Sequence, residues 1–257
     1  MIETFDLLPT IPVFLDAKAA HSGVPSYIGW NTANSTLHHC LVAGGTGSGK
    51  STFLMLQLAK MQKYMPPSTR LYLMDFKGSD DFRYLQNLPN ARYFSHTQCV
   101  HGLQAFSEEV ESRLHDNLDR SPIIAVFDEY ASFISYTNVT DKKLAAQCQM
   151  WIMNALFMSR SVGGYLFLCT QRPDQTIMPG SGARDQFGFR VWWGRFSSTD
   201  AAQMMFGDMY KQIPTDYNGG VGHGIAYIEG KGLIEVFAPR IRNMATVKDA
   251  IADLVTR

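Results

Sequence analysis

The chain has 257 residues, of which 46% are hydrophobic, so it can bury the core of one α/β domain of ordinary size. Its 23 Lys and Arg residues balance its 23 Asp and Glu residues, which excludes a broad basic field for nucleic-acid binding over the whole surface. No stretch approaches the roughly 20 apolar residues that a membrane-spanning helix needs, and the first residues lack the features of a secretion signal. We therefore expect a soluble, cytoplasmic protein without direct membrane insertion.

The first 36 residues, with three prolines, are interpreted as a strand-and-loop preface. Short apolar runs then alternate with amphipathic stretches, and such an alternation predicts a mainly parallel sheet covered by helices on both faces. The strands are expected at 37–43, 71–75, 123–128, 165–170 and 190–194. The helices are expected at 51–65, 100–117 and 142–160.

The pattern changes after the nucleotide-binding core, which we place at residues 37–195. A short helix follows Thr199, and a glycine-rich loop at 218–224 leads into two apolar runs at 225–228 and 233–237. These runs flank a short turn and predict an antiparallel hairpin at one edge of the sheet, followed by a terminal helix. We therefore expect a single domain over residues 1–257, in which 196–257 form the edge hairpin and terminal helix.

The glycine-rich segment at 44–51 fits the phosphate-binding pattern G-x-x-x-x-G-K-[ST], between a predicted strand and a predicted helix. Its backbone N–H groups are expected to surround the phosphates, together with the positive end of the helix. Lys50 is expected to reach the β- and γ-phosphates, and the Ser51 hydroxyl to bind Mg²⁺. The cofactors are thus ATP and Mg²⁺. The residues expected to bind the nucleotide here are Gly44, Gly45, Thr46, Gly47, Ser48, Gly49, Lys50, Ser51 and Thr52.

Two adjacent carboxylates, Asp128 and Glu129, follow the predicted strand at 123–128. Ligand sites in parallel sheets lie at this carboxyl edge. Asp128 is expected to hold Mg²⁺, and Glu129 to orient and deprotonate a water for attack on the γ-phosphorus. The second carboxylate favours hydrolysis over phosphoryl transfer to a small substrate.

The predicted strand at 165–170 ends in the sequence Thr-Gln-Arg-Pro at 170–173. If this strand is parallel to the others, its polar groups emerge at the same edge as Asp128. Either Thr170 or Gln171 is then placed to sense the γ-phosphate.

Together, these motifs resemble the FtsK/SpoIIIE motor ATPases, and the likeness covers nearly the whole chain. It rests on the loop at 44–51, the Asp-Glu motif at 126–130, Arg160 ahead of a Gly-Gly pair, and the tetrad at 170–173. The resemblance implies a RecA-like P-loop fold, with the Thr170 strand between the loop strand and the Asp128 strand. It also implies a ring, usually of six copies, in which Arg160 acts on the nucleotide of a neighbouring subunit. Arg184 matches a further basic position of the family and is expected to bind the nucleotide.

Further features bear on the substrate. Residues 160–195 contain five arginines, no lysine and two acidic residues, a local excess of three positive charges suited to phosphate contacts. The segment at 75–80 resembles members from conjugative and mobile elements. We find no room for the membrane region or winged helix of chromosome-segregating members, so we interpret the chain as a bare motor.

The leading hypothesis is an ATP-driven translocase of double-stranded DNA, acting in DNA transfer or a mobile element. Loops at 135–143 and 173–185 are candidates to face a channel and grip phosphates without reading bases. One alternative is the ATPase module of a type VII protein secretion system, and another is an ATP-binding accessory switch without motor activity. The expected partners are further copies of the chain, double-stranded DNA and a membrane-associated transfer or secretion complex.

Overall fold

The computed structural model describes residues 10–31, 38–115, 118–173 and 182–257. The strands in these ranges are β1 (Ile11–Asp16), β2 (Tyr27–Trp30), β3 (His39–Gly44), β4 (Arg70–Asp75), β5 (Tyr93–Ser95), β6 (Ile123–Asp128), β7 (Gly164–Thr170), β8 (Phe189–Trp193), β9 (His223–Ile228) and β10 (Gly232–Phe237). The helices are α1 (Ala17–His21), α2 (Lys50–Tyr64), α3 (Cys99–His115), α4 (Tyr130–Thr140), α5 (Lys142–Met158), α6 (Thr199–Phe206) and α7 (Met244–Thr256).

Ten strands of the described residues form one sheet in the order β2-β1-β10-β9-β8-β3-β7-β6-β4-β5. The six strands from β8 to β5 run parallel to one another. Every residue of β3, β6 and β7 is buried, because helices cover both faces, which is why these strands are continuous apolar runs. The predicted mainly parallel α/β fold is confirmed, and β7 lies between the loop strand β3 and the Asp128 strand β6.

The remaining strands are antiparallel. β9 and β10 form the predicted hairpin, which pairs with β8 at the border of the parallel part. The preface supplies β1 and β2, which extend the sheet beyond β10. Both strands that precede β3 in the described residues are therefore part of the same sheet.

A separate hydrophobic core lies on each face of the sheet. On one face, α2 and α7 pack against each other, and the Phe14 ring of β1 stacks on Phe53 of α2 with 5.3 Å between ring centroids. On the other face, α3, α4 and α5 pack together around Phe106, Phe127 and Phe133. No helix of the described residues is long and apolar enough to span a bilayer.

One of the two segments that we expected to be channel loops is helical instead. We expected a loop at 135–143, but α4 extends to Thr140 and α5 begins at Lys142. The helix forms because Thr137 follows Phe133 and Ile134 by four and three residues, so all three are buried on one face. Asp141 separates the two helices, and its side chain accepts hydrogen bonds from the backbone N–H groups at the start of α5. The other expected loop, 173–185, lies mostly outside the described residues.

A pH-sensitive contribution to stability comes from His39 at the start of β3. Its Nδ1 accepts a hydrogen bond from the Leu166 backbone N–H at 3.2 Å, which requires the neutral ring. Burial, and next the charges of His38 and Arg160, lower the pKa of His39 to about 3. The unfolded chain therefore binds a proton below about pH 6.5 that the folded chain does not bind, so stability falls as the pH falls.

We expect His39→Gln to flatten this dependence. As the pH falls from about 6 to 4, the unfolding free energy of wild type should decrease more steeply than that of the variant. The difference in slope should reach ~1.4 kcal/mol per pH unit. Urea unfolding at several pH values measures the difference, and subtracting the two curves removes the shared contribution of the carboxylates. Parallel curves for the two proteins would contradict this role.

Candidate active site

The phosphate-binding loop follows β3 and leads into α2, with Gly44 and Gly49 at its two ends. Both have positive φ angles, of 146° and 100°. A Cβ atom at Gly44 would lie 2.3 Å from the Trp193 carbonyl oxygen of the adjacent strand β8, so no side chain fits there. The sequence uses glycine at Gly44 because the loop must turn directly against β8.

A second glycine-rich loop, at 218–224, supports the first. The Gly222 N–H donates to the Ser48 carbonyl oxygen at 2.9 Å, and the Gly222 carbonyl accepts from the Ala238 N–H at 2.7 Å. This loop therefore connects the phosphate-binding loop to the end of β10. The sequence identified it only as a loop, because hydrogen bonds between distant backbone groups leave no side-chain pattern.

Lys50 is buried at the first position of α2. Its ammonium donates to the carbonyl oxygens of Gly44 at 2.7 Å and Gly45 at 3.1 Å. Burial lowers the pKa of Lys50, and the negative charges of Glu129 and Asp128 oppose this shift. Lys50 and both carboxylates thus lie close enough to interact electrostatically. The next residues along α2 are the half-buried Ser51 and the exposed Thr52.

Asp128 ends β6 and is only 5% exposed. Burial, followed by the negative charges of Glu129 and Asp75, raises the pKa of Asp128 to about 7. A divalent cation is the partner that would stabilise the charged form of such a carboxylate. The carboxylate of Asp128 and the hydroxyl of Ser51 are oxygen donors of the kind that Mg²⁺ prefers, so these residues fit the expected ion.

Glu129 lies between two donors. Its backbone is left-handed with a φ of 60°, and α4 begins at the next residue. The Oε1 atom of Glu129 is 3.0 Å from Lys77 Nζ and accepts a hydrogen bond from Gln171 Nε2 at 3.1 Å. Thr170, the last residue of β7, donates its hydroxyl to the Arg172 carbonyl oxygen at 3.0 Å. Lys77 was not among the residues that we expected from the sequence at this site.

An open groove of ≈ 920 Å³ adjoins the phosphate-binding loop. Gly49 and Thr52 line it on one side, and the segment after β10 lines it on the other with Arg240 and Arg242. A groove beside a phosphate site, with an apolar lining and a few polar groups, is suited to the base and sugar of a nucleotide. Sequence reasoning missed this segment because it follows no nucleotide-binding motif.

Arg160 and Arg184 lie at the amino ends of the parallel strands. Arg160 precedes β7, and its charge acts on His39 at the amino end of β3. Arg184 precedes β8, which is parallel to β3. The phosphate-binding loop and Asp128 lie at the carboxyl ends of these strands, so neither arginine joins the site of its own chain.

The arginine-rich segment does not form one exposed basic surface in the part that the structure describes. Arg190 is buried, with its guanidinium 4.0 Å from the centre of the Tyr227 ring. Arg195 donates to the side-chain oxygen of Asn218 at 2.6 Å. Of the five arginines in this segment, Arg190 is therefore not available to a phosphate, because its position in β8 places its side chain in the interior.

Sequence comparison relates the chain to a known family. Residues 11–116 match the sequence model of the FtsK/SpoIIIE family. The chain is also 28% identical over 260 residues to the FtsK domain-containing protein YdcQ of Bacillus subtilis strain 168, an alignment that covers 93% of this chain and 52% of that protein. Residues 11–116 are therefore similar to the FtsK/SpoIIIE family. The resemblance that the motifs indicated is confirmed.

Solved structures share the fold of this chain. The cytoplasmic domain of the type VII secretion ATPase EccC from Thermomonospora curvata aligns with a TM-score of 0.67 at 18% identity, covering 98% of this chain and 31% of that one. The pCW3 conjugation coupling protein TcpA aligns with a TM-score of 0.65 at 20% identity, covering 91% and 68%. The chain spans about half the length of YdcQ.

Proposed function

We propose that this chain hydrolyses ATP and uses the energy to move double-stranded DNA. It would act as a ring, and the resemblance to the FtsK/SpoIIIE motor ATPases implies six copies. The observation that carries the proposal is the convergence of Lys50, Asp128 and Glu129 at the carboxyl edge of the sheet. Such a set binds a triphosphate, neutralises its charge and activates a water. The expected context is DNA transfer or a mobile element.

Each residue has a defined task in the proposed hydrolysis. The backbone N–H groups of 44–51 and the start of α2 bind the phosphates, and Lys50 replaces its carbonyl contacts with β- and γ-phosphate oxygens. Ser51 and Asp128 would hold Mg²⁺, which supplies positive charge beside the phosphates when bound. Glu129 accepts a proton from the attacking water, while Thr170 or Gln171 contacts the γ-phosphate.

The placement of the two arginines supports a ring. Arg160 is exposed at the edge of the sheet opposite to the nucleotide site of its own chain. A guanidinium can stabilise the charge that develops on the γ-phosphate only at contact distance. We therefore propose that Arg160 and Arg184 complete the site of a neighbouring copy.

The relatives support DNA as the substrate. A DNA translocase FtsK from Leptospira interrogans is 26% identical over 171 residues, which cover 56% of this chain and 17% of that protein. TcpA is a conjugation coupling protein. We accordingly propose that the motor binds DNA through phosphates, and that a membrane-associated transfer complex recruits it.

The deciding test is ATP hydrolysis with and without duplex DNA. We expect duplex DNA to raise the rate of phosphate release several-fold, with little dependence on sequence and a loss of stimulation as salt increases. Negative-stain images with a slowly hydrolysed ATP analogue would then be expected to contain rings threaded by DNA. An ATPase rate that duplex DNA leaves unchanged, in a sample that forms rings, would rule out translocation.

A second candidate is the ATPase module of a type VII protein secretion system. The balanced charge of the chain favours it, as does the fold of EccC, for which a related structure contains a signal sequence peptide. Stimulation of hydrolysis by such a peptide and not by DNA would select this function. A third candidate, an accessory switch, would bind ATP without turnover.

A further inference from the structure

We propose that Lys77 is a positioning residue for Glu129, holding one carboxylate oxygen so that the other faces the attacking water. This role rests on the proposed ATP hydrolysis. It is carried by the contact of 3.0 Å between Lys77 Nζ and Glu129 Oε1.

The segment that carries Lys77 is held in place by Asp75 at the end of β4. The buried Asp75 carboxylate accepts hydrogen bonds from the Gly78 N–H at 3.0 Å and the Ser79 N–H at 2.7 Å. Asp75 also pairs with Asp128 across the neighbouring strands β4 and β6. The turn that carries Lys77 is thus fixed to the strand that precedes Glu129, so the ammonium reaches the carboxylate from a defined direction.

The two oxygens of Glu129 have unequal surroundings. Lys77 and Gln171 both contact Oε1, at 3.0 and 3.1 Å. The contact to Oε2 is the Ser132 hydroxyl at 3.4 Å, at the long limit for a hydrogen bond. With Oε1 held by two donors, Oε2 is the oxygen left to accept the proton of a water.

The ion pair is poorly suited to a purely stabilising role. The side chain of Lys77 is 47% exposed, and exposed ion pairs contribute ~1 kcal/mol or less to stability. The positive charge of Lys77 also acts on Asp128 and Lys50, which places it among the groups of the proposed site. Removing Lys77 should therefore affect turnover more than folding.

The experiment compares Lys77→Met, Lys77→Arg and, as a control, Lys231→Met at an exposed lysine in the β9–β10 turn. Phosphate release is measured with and without duplex DNA, and binding with a fluorescent ATP analogue. We expect Lys77→Met to lower kcat by about a hundredfold, the effect typical of a misplaced catalytic group, with KM and analogue binding nearly unchanged. We expect Lys77→Arg to recover much of kcat, because it restores a donor to Oε1, and Lys231→Met to match wild type.

Other results would overturn the role. An unchanged kcat would mean that Gln171 alone suffices, and a raised kcat would mean that the ion pair restrains Glu129. Loss of analogue binding would make Lys77 a nucleotide ligand instead. These outcomes require a wild type that hydrolyses ATP. A wild type without hydrolysis in any condition would overturn the proposed function, and with it this role.

Discussion

Glu129→Gln is expected to lower ATP turnover by roughly 10²- to 10⁴-fold while ATP binding stays close to wild type. The amide has nearly the shape of the carboxylate, and its oxygen can still accept from Lys77 and Gln171, which contact Oε1 of Glu129. It cannot take a proton from water at neutral pH. Steady-state phosphate release measures turnover, and a fluorescent ATP analogue measures binding.

The matched control is Glu111→Gln, which removes the same charge from an exposed position of α3. It should hydrolyse ATP at the wild-type rate. If Glu129→Gln retained most of the turnover, Glu129 would not be the base that activates water. A wild type and variant that both bind without turnover would instead identify an accessory switch.

Lys50→Ala is expected to weaken ATP binding by roughly a hundredfold, because hydrogen bonds from a charged donor contribute about 1.5–3 kcal/mol each. In this chain the ammonium is already held at the loop by the Gly44 and Gly45 carbonyls, so little ordering is needed for it to reach a phosphate. Titration of the fluorescent ATP analogue measures the loss.

The control for this variant is Lys63→Ala, at an exposed position in the last turn of the same helix. Its affinity should equal that of wild type. Lys50→Ala should lose at most about 1 kcal/mol of unfolding free energy relative to wild type. The loss is small because keeping a cation buried, which lowers the pKa of Lys50, itself costs stability. Tight nucleotide binding by a folded Lys50→Ala protein would contradict the assignment of the phosphate site.

The parallel part of the fold was predictable because its strands are buried on both faces, so each is a continuous apolar run between polar turns. The helix α4 was not. Its exposed face carries Ser and Thr residues that favour loops, and burial of Phe133 and Ile134 against the other helices outweighs that preference. Local composition alone cannot reveal such a tertiary contribution.

Some parts of the candidate site could likewise be predicted from the sequence, and others could not. The loop at 44–51 and the Asp128-Glu129 pair could be selected from the sequence because each is a short local motif that directly follows an apolar strand. Lys77 lies 52 positions before the carboxylate that it contacts, in a turn organised by Asp75. The groove beside Gly49 depends on a chain segment near residue 240. Both features arise only when the sheet brings distant segments together.

The opposite placement of the nucleotide site and Arg160 has a consequence for how copies would associate. The two surfaces differ, so a contact between them joins unlike faces and leaves one of each unfilled in any open chain of subunits. Only a closed ring fills every one of these surfaces. Under the proposed assembly, an isolated subunit would bind nucleotide without its full complement of catalytic charge, and specific activity would rise with protein concentration until the circle is complete.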